Sequence, residues 1–114
     1  MEPPCILLIN ASILTAYGLY RYEPLTIEDA RRLVTYSQSN GVQLRSAIGH
    51  AATAKLLTRL LGVEVPVNRI AITQQVGEQA IVFRLKDRPP EGAILSETEL
   101  EAIGYELGLL TRLE

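Results

Sequence analysis

The sequence predicts a single-domain α/β protein, and three observations carry that prediction. Residues 5–11 form an aliphatic run with the length and composition of a central strand buried on both faces. Residues 27–34 and 51–61 repeat apolar side chains at helical spacing behind helix-start signals. At 114 residues the chain can bury roughly two-thirds of its unfolded surface, enough for one core and too little for two.

Taken in order, the first strand ends at Asn10. Over residues 12–18 the pattern dissolves into hydroxyls and glycine, the kind of segment where an α/β sheet meets a ligand. Tyr20, Tyr22 and Leu25 alternate with Arg21 and Glu23, which predicts a short edge strand; Pro24 is tolerated where an amide can be spared. Thr26 then precedes Ile27, Glu28 and Asp29, a cap followed by an acidic first turn. Ile27, Ala30, Leu33 and Val34 give this helix its apolar face, Arg31 and Arg32 look outward, and residues 37–41 end it as a loop.

Residues 44–62 organise the middle of the chain. Behind His50, the residues Ala51, Ala52, Ala54, Leu56, Leu57, Leu60 and Leu61 share one face of a helix, with Lys55, Thr58 and Arg59 on the other. Gly49 permits a backbone turn that a Cβ would resist, and Gly62 is placed to end the helix in the left-handed conformation. A connector over 63–67 leads to a strand over 68–73, with Ile70 and Ile72 on one face. Val76, Gly77 and Glu78 make a hairpin turn, and residues 79–86 return as its partner strand. On that return Ala80, Val82, Arg84 and Lys86 share one face and Ile81, Phe83 and Leu85 the other. Pro89 and Pro90 stiffen the loop over 87–92. Ser96 and Glu99 form a capping box for a helix from Glu97 to Ile103 that stops at Gly104, and residues 105–113 read as a last strand with a bulge at Gly108.

Composition narrows the function. With 47% hydrophobic and 21% charged residues the chain is globular, and a net charge of −2 supplies no field to draw in a long nucleic acid. Aromatic content of 5% gives no stacking platform for RNA. Cys5 has no disulfide partner, and with His50 as the one histidine there is no zinc set, so no metal or cofactor is expected. The short apolar run at 6–9 cannot span a bilayer, which predicts a cytoplasmic protein with no membrane partner. Glycine-rich phosphate loops, a Ser-His-Asp spacing and paired aspartates are all absent from the sequence.

What remains is His50 and the arginines. A helix start attracts phosphate or carboxylate through unpaired amides and the macrodipole, and histidine is the side chain whose charge changes near neutral pH. A lone histidine at such a place is more often a cap or a polar filler than a catalyst. The expected hairpin sets Arg69 roughly opposite Arg84 and Lys86, concentrating positive charge at one sheet end. Arg69 paired with Glu64 and a solvated Arg84 are the structural alternatives.

Three ordered blocks change the balance: Ile48, Gly49, His50; then Asn68, Arg69 and an aliphatic residue; then Arg88, Pro89, Pro90, Glu91, Gly92, Ala93, Ile94, Leu95, Ser96. Over nearly its whole length, from Leu8, Ile9, Asn10 and Ala11 onward, the chain resembles the viral anti-CRISPR ring nuclease family, which also has phage and bacterial members. These small proteins degrade cyclic tetra-adenylate, the second messenger of type III CRISPR defence. The resemblance implies a mixed β-sheet flanked by helices, a two-fold homodimer, and one ring bound across its axis. It also implies a catalytic His50, a catalytic Arg88 and an acidic Glu91 in the same loop. Asn10, Ala11, Ser12, Gly49, Ala52, Thr53, Arg69 and Arg84 fall at ring-binding positions. Viral relatives carry a different polar residue at the place of Arg84. Ala51 and Ala52 stand where some viral members have a polar pair, which leaves backbone amides as the contacts there.

The expectation is a metal-independent nuclease that cuts the ring to linear di-adenylate with 2′,3′-cyclic phosphate ends. A sponge or sensor that holds the ring intact is the alternative, and the acidic balance disfavours a DNA-binding module.

Overall fold

A strand with an aliphatic centre needs neighbours on both edges and cover on both faces, and β1 (Cys5–Asn10), with Ile6, Leu7, Leu8 and Ile9 at its centre, has both. In the computed structural model, residues 5–10, 16–87 and 95–114 are described. Along them follow β2 (Tyr20–Leu25), α1 (Ile27–Ser39), β3 (Gln43–Ser46), α2 (Ala51–Leu61), β4 (Gln79–Leu85), α3 (Glu97–Ile103) and β5 (Tyr105–Arg112). The five strands form one mixed sheet in the order β2-β5-β4-β1-β3. β1 runs parallel to β3 on one side and to β4 on the other, while β5 is antiparallel to both β4 and β2. The architecture is a single α+β domain, with β2 at an edge as its Pro24 requires.

Alternation along the strands divides the core. Ile6, Leu8, Ile81, Phe83 and Leu107 face all three helices, meeting Ala30 and Val34 of α1, Leu56, Leu57 and Leu61 of α2, and Leu100 of α3. Full burial of a side chain of this size contributes about 1.5–3 kcal/mol, which makes this face the main source of stability. Leu7, Ala80, Val82 and Leu110 point the other way, into a smaller cluster with Ile9, Tyr20 and Ile72 packed against it.

The helix boundaries follow the local signals except at the end of α1, which runs on to Ser39, through the first half of the segment expected to be loop. The Thr26 hydroxyl accepts from the Asp29 amide at 3.0 Å, and Glu28 and Asp29 occupy the acidic first turn of α1. Gly62, at φ 74°, closes α2 by donating to the Thr58 carbonyl. Ser96 and Glu99 make the reciprocal capping box of α3, which ends at Gly104. Arg59 joins α2 to α3 through a hydrogen bond to Glu101 and an ion pair with Glu97 at 3.9 Å. The Glu101 hydrogen bond and charge hold the Arg59 guanidinium above its ordinary pKa.

Three expectations are corrected. Residues 68–73 do not form a strand, so there is no hairpin and Arg69 does not face Arg84. Both edges of β4 are taken, by β1 and β5, so a third partner has no ladder to join. The turn at Gly77, φ 86°, does exist, but its amide donates to Arg112 at 2.8 Å and so leads the chain into β4 beside β5. Gly108 is no bulge: it pairs in continuous register with Val82 and Pro24. The third correction is β3, a strand the sequence reading did not foresee. Its four residues alternate only twice, exposed Gln43 and Arg45 against half-buried Leu44 and buried Ser46, too short a pattern to stand out.

Candidate functional site

The carboxyl ends of the three parallel strands gather most of the describable site residues. β1 ends at Asn10, in register with Phe83 of β4, and Leu8 is in register with Ser46, the last residue of β3. The Ala47 amide continues the pairing by donating to the Leu8 carbonyl at 2.9 Å. The parallel neighbours of β1 lie on either side of it, so three carboxyl strand ends point the same way.

The chain then turns over 47–50 into α2, and His50 is the residue at the helix cap. Its carbonyl accepts from the Ala54 amide at 3.0 Å, while its exposed imidazole makes no capping hydrogen bond. The capping role that local sequence favoured for His50 is therefore not the one it has. No acidic residue occupies the first turn of α2, so neither a cap side chain nor a carboxylate neutralises its amides. Thr53 is buried at 4% exposure, and Ala51 and Ala52 present little beyond backbone, so amides are what this helix start offers an anion.

Residues 66–69 lie against this turn. Arg69 donates from Nε to the Gly49 carbonyl at 2.7 Å, and that contact, not Glu64, is its partner here. A Cβ on Gly49 would come within 3.0 Å of Arg69 Cγ. The bareness of Gly49 thus admits Arg69 beside His50, a different reason from the turn geometry the sequence suggested, since Gly49 is not among the positive-φ glycines. Among the described residues this is the one side-chain hydrogen bond found for Arg69. Asn68 donates from its amide to Ile48 at 2.7 Å and from Nδ2 to the Ser46 carbonyl at 3.0 Å, while the Ser46 hydroxyl donates to the Pro66 carbonyl at 2.7 Å.

Arg84 lies one residue beyond Phe83 on the opposite face of β4, exposed and 3.5 Å from Glu106. It shares the strand end with Asn10 but not the Arg69 partnership that a hairpin would have made. Ala11, Ser12, Arg88 and Glu91 lie outside the described residues, as does the Pro89–Pro90 loop. Sequence reasoning missed Ser46 and marked Asn68 without giving it a role; what both do depends on two segments meeting in space and leaves no spacing to read. Among the described residues no cluster of His, Cys, Asp and Glu could hold a metal ion, and no helix is long and apolar enough to cross a membrane.

Fold and site together define a small α+β protein with a helix start that lacks a side-chain cap near the carboxyl ends of parallel strands. The chain belongs to the STIV B116-like family, which matches residues 6–107. It is 41% identical over 96 residues to ORF117 of Acidianus two-tailed virus, spanning 83% of this chain and 80% of that protein. It is 32% identical over 109 residues to YddF of Bacillus subtilis (strain 168), spanning 96% and 98% of the two. The solved structure of B116 of Sulfolobus turreted icosahedral virus superposes with a TM-score of 0.70, covering 94% of this chain and 98% of that one. At 23% identity that likeness establishes a shared fold.

Proposed function

We propose that this protein is a metal-independent ring nuclease that binds cyclic tetra-adenylate across a homodimer and cleaves it. The observation that carries the reading is His50: the chain's one histidine stands exposed at the start of α2, free of any capping bond, with Arg69 held on the neighbouring carbonyl. Viral and bacterial members of the same family agree with a role in conflict between viruses and cells. Such an enzyme ends type III CRISPR signalling by destroying the messenger.

Symmetry fits the chemistry. A ring of four identical nucleotides has a two-fold axis, and an isologous dimer offers every residue twice, so one histidine per chain serves two phosphates. A ribose 2′-hydroxyl passes its proton to solvent water and attacks the adjacent 3′-phosphate, forming the P–O2′ bond of a 2′,3′-cyclic phosphate. The P–O5′ bond breaks, and protonated His50 gives its proton to the departing oxygen. Arg88 stabilises charge on the phosphorane-like transition state, and Glu91 orients Arg88 or His50. Asn10, Ala11, Ser12, the α2 amides, Arg69 and Arg84 hold the ring.

The test is incubation of labelled cyclic tetra-adenylate with wild type and His50→Ala. Wild type is expected to yield linear di-adenylate with cyclic phosphate ends, and the variant to retain the ring while turning over about 10²- to 10⁴-fold more slowly. Intact ring recovered equally from both would replace the enzyme with a sponge or sensor.

A further inference from the structure

We propose that Ser46 and Asn68 are positioning residues for His50, a role that rests on reading His50 as the general acid. The turn over 47–50 belongs to no helix or strand, so its polar groups need partners from elsewhere. They find them on one short segment. The Ser46 hydroxyl accepts from the Ile48 amide at 3.2 Å and donates to the Pro66 carbonyl at 2.7 Å, so both of its hydrogen-bonding roles are used. Asn68 takes the Ser46 carbonyl with Nδ2 at 3.0 Å and the Ile48 carbonyl with its amide at 2.7 Å. Two residues thus make four hydrogen bonds across one turn, on either side of Ala47.

The clip is buried at Ser46 and half-buried at Asn68. Ser46 is 5% exposed and Ile48 is fully buried, whereas His50, two residues further on, is exposed. The imidazole has no capping bond of its own to aim it, so its direction comes from its backbone, at φ −121° and ψ 129°. That backbone is fixed on the helix side by Ala54 and on the strand side by this clip. Misplacing an acid by about 1 Å costs on the order of a hundredfold in rate, which is why a clip behind the turn governs turnover without touching substrate.

Two variants test this. Asn68→Asp is isosteric and exchanges the Nδ2 donor for a charged acceptor facing the Ser46 carbonyl, and Ser46→Ala removes the hydroxyl, with Ser46→Thr restoring it. In Asn68→Asp and Ser46→Ala, kcat on cyclic tetra-adenylate is expected to fall about tenfold or more while KM moves less than about twofold, and Ser46→Thr recovers most of the loss. Without ligand, hydrogen exchange at the Ile48 amide should quicken about tenfold while the amides of α1 stay as protected as in wild type. Unchanged exchange at Ile48 overturns the proposal. So does an unchanged kcat in a folded variant, or a rise in KM alone. If wild type leaves the ring intact, the nuclease reading falls by itself, and the clip is judged on the exchange at Ile48 against α1.

Discussion

Tyr22 of β2 lies across Gly108 of β5 so closely that a Cβ there would stand 2.3 Å from Tyr22 Cε1. The two are diagonal neighbours on one face, since Tyr22 is in register with Leu110 and Gly108 with Pro24. Gly108→Ala is therefore expected to destabilise the protein by about 1–3 kcal/mol, read from urea unfolding. In a Tyr22→Ala background the penalty should drop below about 0.5 kcal/mol, because the obstacle is gone. At the same scale, His50→Ala should leave the thermal midpoint nearly unchanged, within about 0.5 kcal/mol, since an exposed side chain with no capping bond is removed. Sequence alone singles out both residues, a glycine inside a strand and a lone histidine at a helix start. It does not show what each one touches.

Among the elements, α3 is the most dependent on its ends. Seven residues make a helix of marginal intrinsic stability, and its anchors are the Ser96 capping box, the buried Leu100 and the Arg59 bridge from α2. Ser96→Ala is expected to cost about 0.5–2 kcal/mol by chemical denaturation, with faster amide exchange at Leu100 than in α2. All three helices were legible because caps, acidic first turns and closing glycines are local: Thr26, Gly62, Ser96 and Gly104 each declare a boundary within a few residues. β1 was legible as a central strand because its aliphatic run tolerates water on neither face. The hairpin failed for a non-local reason. Ile70 and Ile72 carry strand periodicity, yet β4 has no edge to give them, and Asn68 spends its amide on Ile48. In the site, the expected approach of Arg69 to Arg84 and Lys86 fails with the hairpin, and Arg69 lies instead beside His50 through Gly49 and the 66–69 connector.

At the scale of the whole molecule, the proposed mechanism requires two copies. Light scattering is expected to give a dimer, and calorimetry one cyclic tetra-adenylate bound per two chains; one ring per monomeric chain would remove the symmetric arrangement of the two imidazoles. The net charge of −2 adds no general attraction for polyanions, so the same protein should not retain duplex DNA at about 0.15 M salt, where counterion release favours only basic surfaces.

The strand order also dictates how the chain must be made. During synthesis the aliphatic run at Cys5–Asn10 leaves the ribosome first, yet its two flanking partners, Gln43–Ser46 and Gln79–Leu85, are made well after it. Tyr20–Leu25 waits longer still, until Tyr105–Arg112 clears the exit tunnel. Such long-range closure folds slowly, because the sheet cannot be completed until its last strand has emerged.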